Sequence, residues 1–238
     1  MTWSIIARDA EREKFGIAVA TRFFAVGALV PYARAAVGAI ATQALINPFF
    51  GVRGLALLHE ERSAADVVSR LVSADAGSAH RQLHVMDRQG FTAAHTGPAC
   101  VDWCGAICEH NLSVAGNMLA NGDVIAVTAT AFRAHAMMPF ARRLIMAMKA
   151  GEAAGGDKRG KQSAALLIQG EEDWPDLSLR VDDHPDPLTE LERLEQVSRE
   201  RFVHFVRFLP NHKDPVGITD REAIEVGIQR ALSAQAKK

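Results

Sequence analysis

The apolar residues of this chain fall into short runs that come in contiguous blocks, and this order limits the folds it can adopt. Short runs rich in Val, Ile and Ala, bounded by Gly or charged turns, indicate strands. The predicted strands cover residues 2–7, 15–21, 27–32, 36–43, 82–87, 91–96, 101–110, 113–119, 163–169 and 177–182. Two pairs of helices are predicted between the blocks, at residues 51–60 and 63–73 and at residues 124–135 and 139–150. Ser63 and Asp66 are placed to cap the second of these helices.

Strands that follow one another directly favour antiparallel pairing, and alternating helical pairs favour layers outside the sheets. The sequence therefore predicts an α+β protein with mainly antiparallel sheets. A four-layer αββα sandwich, with helices on both outer faces of two stacked sheets, accommodates this order.

The last fifty residues form a separate pattern. A long helix is predicted from Leu188, and its second half, residues 202–209, is apolar on more than one face. Either the domain or a second subunit must cover that surface, which favours a homodimer or a higher homo-oligomer. A final helix is predicted after a capping box of Thr219 and Glu222. We therefore divide the chain into a domain at residues 1–210 and an extension at residues 211–238.

Composition excludes several classes of function. The 238 residues carry a formal net charge of −1, and the basic residues are scattered along the chain. A nucleic-acid partner is therefore not expected. No basic segment leads into an apolar one at the start, and no apolar stretch is long enough to span a membrane. We expect a cytoplasmic protein without a membrane partner.

Cys100, Cys104 and Cys108 are crowded into nine positions with C-x3-C-x3-C spacing. This spacing matches neither a C-x2-C zinc site nor a familiar iron–sulfur run. An odd number of cysteines also argues against a disulfide framework. The sequence favours small buried thiols in a strand, and no metal site is predicted.

Thr2 stands at the head of the first predicted strand, so that loss of Met1 would make it the amino terminus. A terminal threonine can attack an acyl group while its own α-amine takes the proton, because a hydroxyl needs an adjacent base to become a good nucleophile. The pKa of a free α-amine, about 7.7–8.0, suits that task. The alternative is an ordinary threonine after a retained initiator methionine.

A glycine-rich loop at residues 155–162 comes within one residue of a phosphate-binding P-loop. Gln162 stands where Ser or Thr should hold magnesium, and the loop runs from helix to strand, the reverse of the required order. Nucleotide binding is therefore not predicted, and no cofactor is expected. The loop either delivers Asp157 and Arg159 to a site or serves only as a helix-to-strand connection.

Several strings of the sequence resemble a bacterial and archaeal family known as domain of unknown function 1028, over residues 2 to about 195. They are Thr2-Trp3-Ser4-Ile5-Ile6-Ala7-Arg8-Asp9, Gly38-Ala39-Ile40-Ala41-Thr42-Gln43, Gly116-Asn117, the glycine-rich residues 151–166, and Arg180-Val181-Asp182-Asp183-His184-Pro185. The family is grouped with N-terminal-nucleophile hydrolases by fold. The resemblance thus implies the αββα sandwich of proteasome subunits, with Thr2 in the position of the nucleophile.

This chain departs from the proteasome-type pattern at two positions. Thr21-Arg22 closes the second strand where those relatives carry an acidic residue, and the third strand has no obvious lysine. Arg22, Arg34 or Gln43 could substitute, or these side chains could serve only solvation and strand-end hydrogen bonding. Thr21, Arg22 and Gln43 are candidate substrate-binding residues on this basis.

Three further side chains are candidates for the site. Asn117 follows Gly116 at a strand end, where its amide could donate to a developing oxyanion or serve only in a turn. Asp183 and His184 stand at the exit of the last strand, where they could contact substrate, hold a metal ion, relay protons or form a structural turn before Pro185.

The sequence therefore predicts a hydrolase of an amide or other acyl bond in a small molecule. Thr2 would be the nucleophile, with Asn117 as oxyanion donor. The remaining candidates, Thr21, Arg22, Gln43, Asp157, Arg159, Asp183 and His184, would bind the substrate. The alternative is a protein that keeps the sandwich without the catalysis and binds a small metabolite in the same cleft.

Overall fold

The computed structural model describes residues 2–235, so the fate of Met1 lies outside the described residues. The strands are Thr2–Asp9 (β1), Lys14–Thr21 (β2), Pro31–Arg34 (β3), Gly38–Ala44 (β4), Arg81–Asp87 (β5), Thr92–Thr96 (β6), Gly105–Glu109 (β7), Leu112–Asn117 (β8), Ser163–Gln169 (β9) and Leu177–Val181 (β10). The α-helices are Pro48–His59 (α1), Ala64–Ser73 (α2), Asp123–Ala134 (α3), Phe140–Ala153 (α4), Pro187–Ser198 (α5), Phe202–Phe205 (α6) and Arg221–Gln235 (α7).

The strands form two sheets in which every neighbouring pair is antiparallel. The larger sheet has six strands in the order β10-β9-β2-β1-β8-β7, and the smaller has four in the order β3-β4-β5-β6. The prediction of a mixed helix and strand protein with antiparallel sheets is confirmed. It succeeds because blocks of consecutive strands can pair through short turns.

One apolar cluster lies between the two sheets. The side chains that form it come from strands of both sheets and from the turn before β3, and they include Ile6, Ile17, Val19, Ala39, Ala41 and Met86. Inward-facing positions on a strand recur every second residue, so the same face of β1 that carries Ile6 also carries Ser4 and Thr2. The face of β1 that contributes to the apolar cluster therefore continues to the start of the strand, where Thr2 lies.

Helices also pack against both sheets. A second apolar cluster joins α1 and α2 to the smaller sheet through Ile40, Leu58 and Val67, among others. Helix α4 lies so close to β2 that a Cβ on Gly16 would stand 2.4 Å from Leu144 Cδ1. Ser63 Oγ accepts a hydrogen bond from Asp66 N at 3.2 Å, which confirms the predicted cap of α2.

Two apolar runs adopt a different local structure from the one predicted. Residues 27–30 of the predicted strand 27–32 are not in a strand, since Ala25 takes a left-handed conformation, a 3-10 turn covers Val26–Ala28, and pairing begins only at Pro31. Residues 101–104 also remain outside β7. Their main chain instead bonds to the segment after β8, with Met118 N donating to Val101 O at 2.7 Å.

The chain divides into two compact units with the boundary after Glu192. Our boundary at residue 210 rests on sequence and stays a prediction. The long helix expected from Leu188 is wrong, because α5 ends at Ser198 and Arg201 is not helical, with φ −150° and ψ −47°. An apolar run that faces several directions does not fit one amphipathic helix.

Within the second unit, residues 193–235 as described, the final helix begins one residue later than its predicted cap implies. Asp220 Oδ1, and not Thr219, accepts from Glu222 N at 2.9 Å and from Ala223 N at 3.2 Å. The Phe208 ring lies against Gly227 of this helix. Part of the apolar run at 202–209 is therefore covered by α7.

The helices within residues 2–235 include none with the length and apolar character that a membrane crossing requires.

Candidate functional site

All six strands of the larger sheet have one end at the same edge, where β1, β7 and β9 begin and β2, β8 and β10 end. This follows from antiparallel pairing, which sets the start of each strand beside the end of its neighbour. Thr2 stands opposite Asn117 in the pairing of β1 with β8, and Thr21 stands opposite Ser163 in the pairing of β2 with β9. The fold thus brings three of the predicted site residues, Thr2, Thr21 and Asn117, to a common edge.

The Thr2 side chain lies between the two sheets. Its hydroxyl donates to Thr21 Oγ1 at 3.2 Å, and both side chains are buried. A hydroxyl in this position is shielded from bulk water and held beside a second hydroxyl. An incoming electrophile would therefore meet Thr2 in a largely dehydrated environment.

Two side-chain amides approach the carbonyl oxygen of Thr2. Asn117 Nδ2 lies 3.4 Å from it and Gln43 Nε2 lies 3.5 Å from it. These distances are at the long end for N–H···O bonds. Both amides are buried, so that two neutral N–H donors converge on the residue predicted as nucleophile.

Gln82 of β5 connects these two amides. Its Oε1 accepts from Gln43 Nε2 at 2.8 Å and from Asn117 Nδ2 at 2.9 Å. Its Nε2 donates to the main-chain oxygens of Gly116 at 2.8 Å and Gly105 at 3.2 Å. Gln82 is fully buried, and its side chain joins the smaller sheet to the edge at which Thr2 lies.

A buried histidine extends the same network. His84 Nε2 lies 2.8 Å from Ser4 Oγ, and His84 Nδ1 lies 2.8 Å from Ser113 Oγ. Complete burial lowers the pKa of His84 to about 3, so the ring is neutral near neutral pH. Ser4 donates its hydroxyl proton to Gln43 Oε1 at 2.7 Å. Ser4 must then accept from His84, which places the ring proton on Nε2.

Asp157 of the glycine-rich loop anchors the end of β2. Its Oδ2 accepts from the main-chain nitrogen of Arg22 at 2.9 Å, and its Oδ1 accepts from the main-chain nitrogen of Arg159 at 2.9 Å. The Arg159 guanidinium also pairs with the Asp157 carboxylate at 3.1 Å. Asp157 is buried, whereas the side chain of Arg159 is 41% exposed. The loop therefore places Asp157 and Arg159 beside the end of β2.

Lys161 of the same loop is held by carboxylates. Its Nζ lies 2.9 Å from Asp186 Oδ1 and 3.9 Å from Glu152 Oε1. The hydrogen bond from Lys161 holds the pKa of Asp186 below its usual range. Burial raises the pKa of Glu152, an effect that Lys161 partly offsets. This lysine is directed towards α4 and the segment after β10.

Asp183 and His184 are connected to the end of β2 through Gln162. Asp183 Oδ1 accepts from Gln162 Nε2 at 3.1 Å, and His184 N donates to Gln162 O at 2.8 Å. Gln162 N in turn donates to Thr21 O at 2.9 Å. Asp183 is exposed and His184 is half-buried. Both residues are therefore connected to Thr21 through Gln162.

The prediction of buried thiols is wrong, because Cys108 is exposed and Cys100 and Cys104 are only half-buried. The reason is the short β7, which leaves Cys104 outside the strand. Within residues 2–235, no group of three or more His, Cys, Asp or Glu side chains is placed to hold a metal ion.

Four buried polar residues of this network are absent from the sequence-based candidates, namely Ser4, Gln82, His84 and Ser113. Gln82 and His84 occupy alternate positions of a strand whose other face is apolar, in Arg81-Gln82-Leu83-His84-Val85. That alternation was the available signal, since residues two apart share a face. Alternation alone does not say that the face carrying Gln82 and His84 is buried.

Comparison with known proteins identifies relatives by sequence and by structure. A family model described as a family of unknown function, DUF1028, matches residues 2–191. The crystal structure of protein SPO2555 from Silicibacter pomeroyi, of the same family model, is 34% identical and superposes with a TM-score of 0.86, covering 92% of this chain and 96% of that one.

Anbu, an ancestral beta-subunit from Yersinia bercovieri, is a more distant match. It is 10% identical and covers 89% of this chain and 99% of its own, with a TM-score of 0.36, too low to support an argument about fold. None of the curated proteins matches the chain.

Proposed function

This chain belongs to the DUF1028 family, whose function is unknown, and we propose that it is a hydrolase of the N-terminal-nucleophile type. Its substrate would be a small molecule with an amide or other acyl bond. Thr2 would be the nucleophile once Met1 has been removed. The proposal also takes the two facing sheets and their helix pairs as an αββα sandwich of the kind found in those hydrolases.

One observation carries this proposal. The hydroxyl of Thr2, at the first position of β1, lies beside Thr21 Oγ1, and the amides of Gln43 and Asn117 approach the main-chain oxygen of the same residue. These residues come from four different strands.

The chemistry would proceed in two steps. The α-amine of Thr2 takes the proton of its own hydroxyl, and Thr2 Oγ1 forms an ester with the acyl carbon while the leaving group departs with a proton. Water then hydrolyses the ester and regenerates the hydroxyl. Asn117 Nδ2 would donate to the oxyanion in both steps, and a donor of this kind contributes about 3 kcal/mol.

The outer residues would bind the substrate. The Arg22 side chain is exposed, and the hydrogen bond described for its guanidinium goes to Lys161 O at 3.3 Å. Most of its N–H groups therefore remain available to a polar group of the substrate. Arg159, Asp183 and His184 would complete this rim, while Asp157 holds the loop in place.

A second candidate function is the binding of a small metabolite without catalysis. Both N–H groups of Asn117 already have acceptors, one in Gln82 Oε1 and one in Thr2 O. Neither β3 nor β4 contains a lysine that could assist Thr2. These observations favour a cleft that keeps the shape of the site and has lost its reaction.

Reaction with a β-lactone separates the two functions without knowledge of the natural substrate. Attack of Thr2 Oγ1 on the lactone carbonyl opens the ring, and the freed alkoxide takes the proton of the hydroxyl. The adduct adds the full mass of the lactone. For protein shown by mass to lack Met1, we expect one adduct on Thr2, none in Thr2→Ala, and slower formation in Thr2→Ser.

An unmodified Thr2 at saturating lactone would leave metabolite binding as the better account. So would labelling of Thr2→Ala at the wild-type rate, because the adduct would then lie on another residue.

A further inference from the structure

We propose that Gln82 is a positioning residue for the Thr2 site, which fixes the side-chain amide of Asn117 so that an N–H points at Thr2. This inference rests on the proposed function and assigns a role to a residue on the opposite sheet. This role follows because the donors and acceptors of the buried network cannot be exchanged, so the direction of each hydrogen bond is fixed.

The orientation of the Gln82 amide is set by the main chain. Its nitrogen lies 2.8 Å from Gly116 O and 3.2 Å from Gly105 O, and main-chain carbonyl oxygens only accept hydrogen bonds. The Thr96 hydroxyl, 2.9 Å away, can adapt to either orientation. A flipped Gln82 would face two carbonyl oxygens with its own oxygen, so Oε1 must point towards Asn117 and Gln43.

Asn117 depends on that oxygen more than Gln43 does. Gln43 Nε2 has a second short contact to a main-chain acceptor, Ala115 O at 3.1 Å. Asn117 Nδ2 has Gln82 Oε1 at 2.9 Å and otherwise only the long contact to Thr2 O at 3.4 Å. Loss of the Gln82 oxygen would therefore release the Asn117 amide and leave the Gln43 amide largely in place.

The network is better suited to holding groups than to moving protons. From His84 the hydrogen bonds run through Ser4 to the Gln43 and Gln82 amides. Side-chain amides neither gain nor lose a proton near neutral pH, so a relay would stop at Gln43. Further from Thr2, the same space between the sheets is filled by apolar side chains such as Ile17 and Met86. Polar groups are concentrated at the end where the site lies.

Three variants test the inference. Gln82→Leu removes the acceptor, and Thr96→Val removes a partner on the nitrogen side and leaves the acceptor intact. Gln82→Glu supplies one acceptor oxygen and one O–H donor only while its carboxyl is protonated. The probe is an aliphatic β-lactone, and acylation of Thr2 is followed by intact mass at several lactone concentrations.

We expect Gln82→Leu to lower the limiting acylation rate on the order of a hundredfold, with the half-saturating lactone concentration changed by less than about twofold. Thr96→Val should acylate like the wild type. The acylation rate of Gln82→Glu should approach that of the wild type at low pH. Relative to the wild type at the same pH it should fall as the pH rises, since an ionised carboxyl would face Gly116 O. Wild-type acylation should instead rise with pH.

A second readout does not depend on catalysis. The side-chain NH2 group of Asn117, assigned by its absence in Asn117→Asp, should give one sharp pair of NMR signals in the wild type and in Thr96→Val. It should broaden or double in Gln82→Leu. An unchanged Asn117 signal in a folded Gln82→Leu protein would overturn the inference.

The failures are distinguishable. If wild-type protein without Met1 is not acylated, the proposed function fails, and the NMR signals alone decide the role of Gln82. If the wild type is acylated and Gln82→Leu reacts as fast, the inference fails while the proposed function stands. Should Gln82→Leu not fold, the pH profile of Gln82→Glu decides, and a profile parallel to the wild type would contradict the inference.

Discussion

Thr2 at the start of β1 faces Asn117 at the end of β8, and the Asn117 amide nitrogen lies 3.4 Å from the Thr2 carbonyl oxygen. The two residues are 115 positions apart in the chain and are joined by the pairing of β1 with β8 in the larger sheet. This arrangement sets a donor beside the candidate nucleophile without any flexible loop between them. Rigid strands hold such a pair more precisely than loops do.

Asn117→Ala should lower the acylation rate of Thr2 by a β-lactone by about 10²–10³-fold, because one donor to the developing oxyanion is lost. The half-saturating concentration should change little, since that donor acts mainly in the transition state. Mass spectrometry over time measures both constants. An Asn117→Ala protein that reacts within about twofold of the wild type would remove Asn117 from the mechanism.

Acylation of Thr2 should rise with pH, since only the unprotonated α-amine can take the hydroxyl proton. The midpoint should lie near or somewhat below the ordinary α-amine pKa of about 8. The rate of β-lactone labelling between pH 5.5 and 9.5 measures it. A pH-independent rate would rule out the α-amine as the base.

The stability of the fold should fall as the pH drops below 6.5, because of His84. Burial lowers its pKa to about 3, so the unfolded chain binds a proton that the folded protein does not. The stability that depends on a neutral His84 is therefore fully present above pH 6.5 and declines as the pH falls towards 3. The free energy of unfolding should drop by about 2 kcal/mol between pH 7 and pH 5 for this reason.

Urea unfolding at pH 7 and pH 5 measures this loss, with His84→Gln as the control that cannot titrate. Other groups affect both proteins alike, so the difference between the two pH dependences isolates His84. Equal losses in the wild type and in His84→Gln would show that His84 is protonated in the folded state.

Asp157→Ala should destabilise the fold by about 2–3 kcal/mol, because it removes the acceptor of two main-chain N–H groups, those of Arg22 and Arg159. Asp183→Ala is the matched control, since Asp183 is exposed and the described bond joins it to Gln162. Its cost should stay within about 0.5 kcal/mol. Equal effects on urea unfolding would mean that Asp157 does not anchor the loop.

The sequence predicts this fold well where local signals agree. Consecutive apolar runs joined by short turns suffice for antiparallel pairing, and Ser63 caps α2 as expected. Prediction fails where several backbone conformations suit one composition. The apolar run 27–32 divides between a 3-10 turn and the start of β3, and the run 202–209 breaks into short helices, because tertiary packing rather than periodicity decides their structure.

The members of the candidate site that lie at strand ends were predictable from the sequence, and the buried residues behind them were not. Thr2 was predicted at the start of one strand and Asn117 at the end of another, and the structure places them side by side. Gln82 and His84 show only the alternation of polar and apolar residues along β5, and partners such as Asn117 and Ser113 lie on the other sheet. Such contacts depend on how two sheets stack, which no local pattern contains.

Removal of Met1 is the condition on which the whole account depends, and the intact mass of the protein purified from its native source measures it most directly. The account predicts a mass that lacks the initiator methionine, with Thr2 as the free amino terminus. A mass that retains Met1 on the whole population would contradict the hydrolase mechanism, because the α-amine of Thr2 would then be an amide nitrogen without basicity.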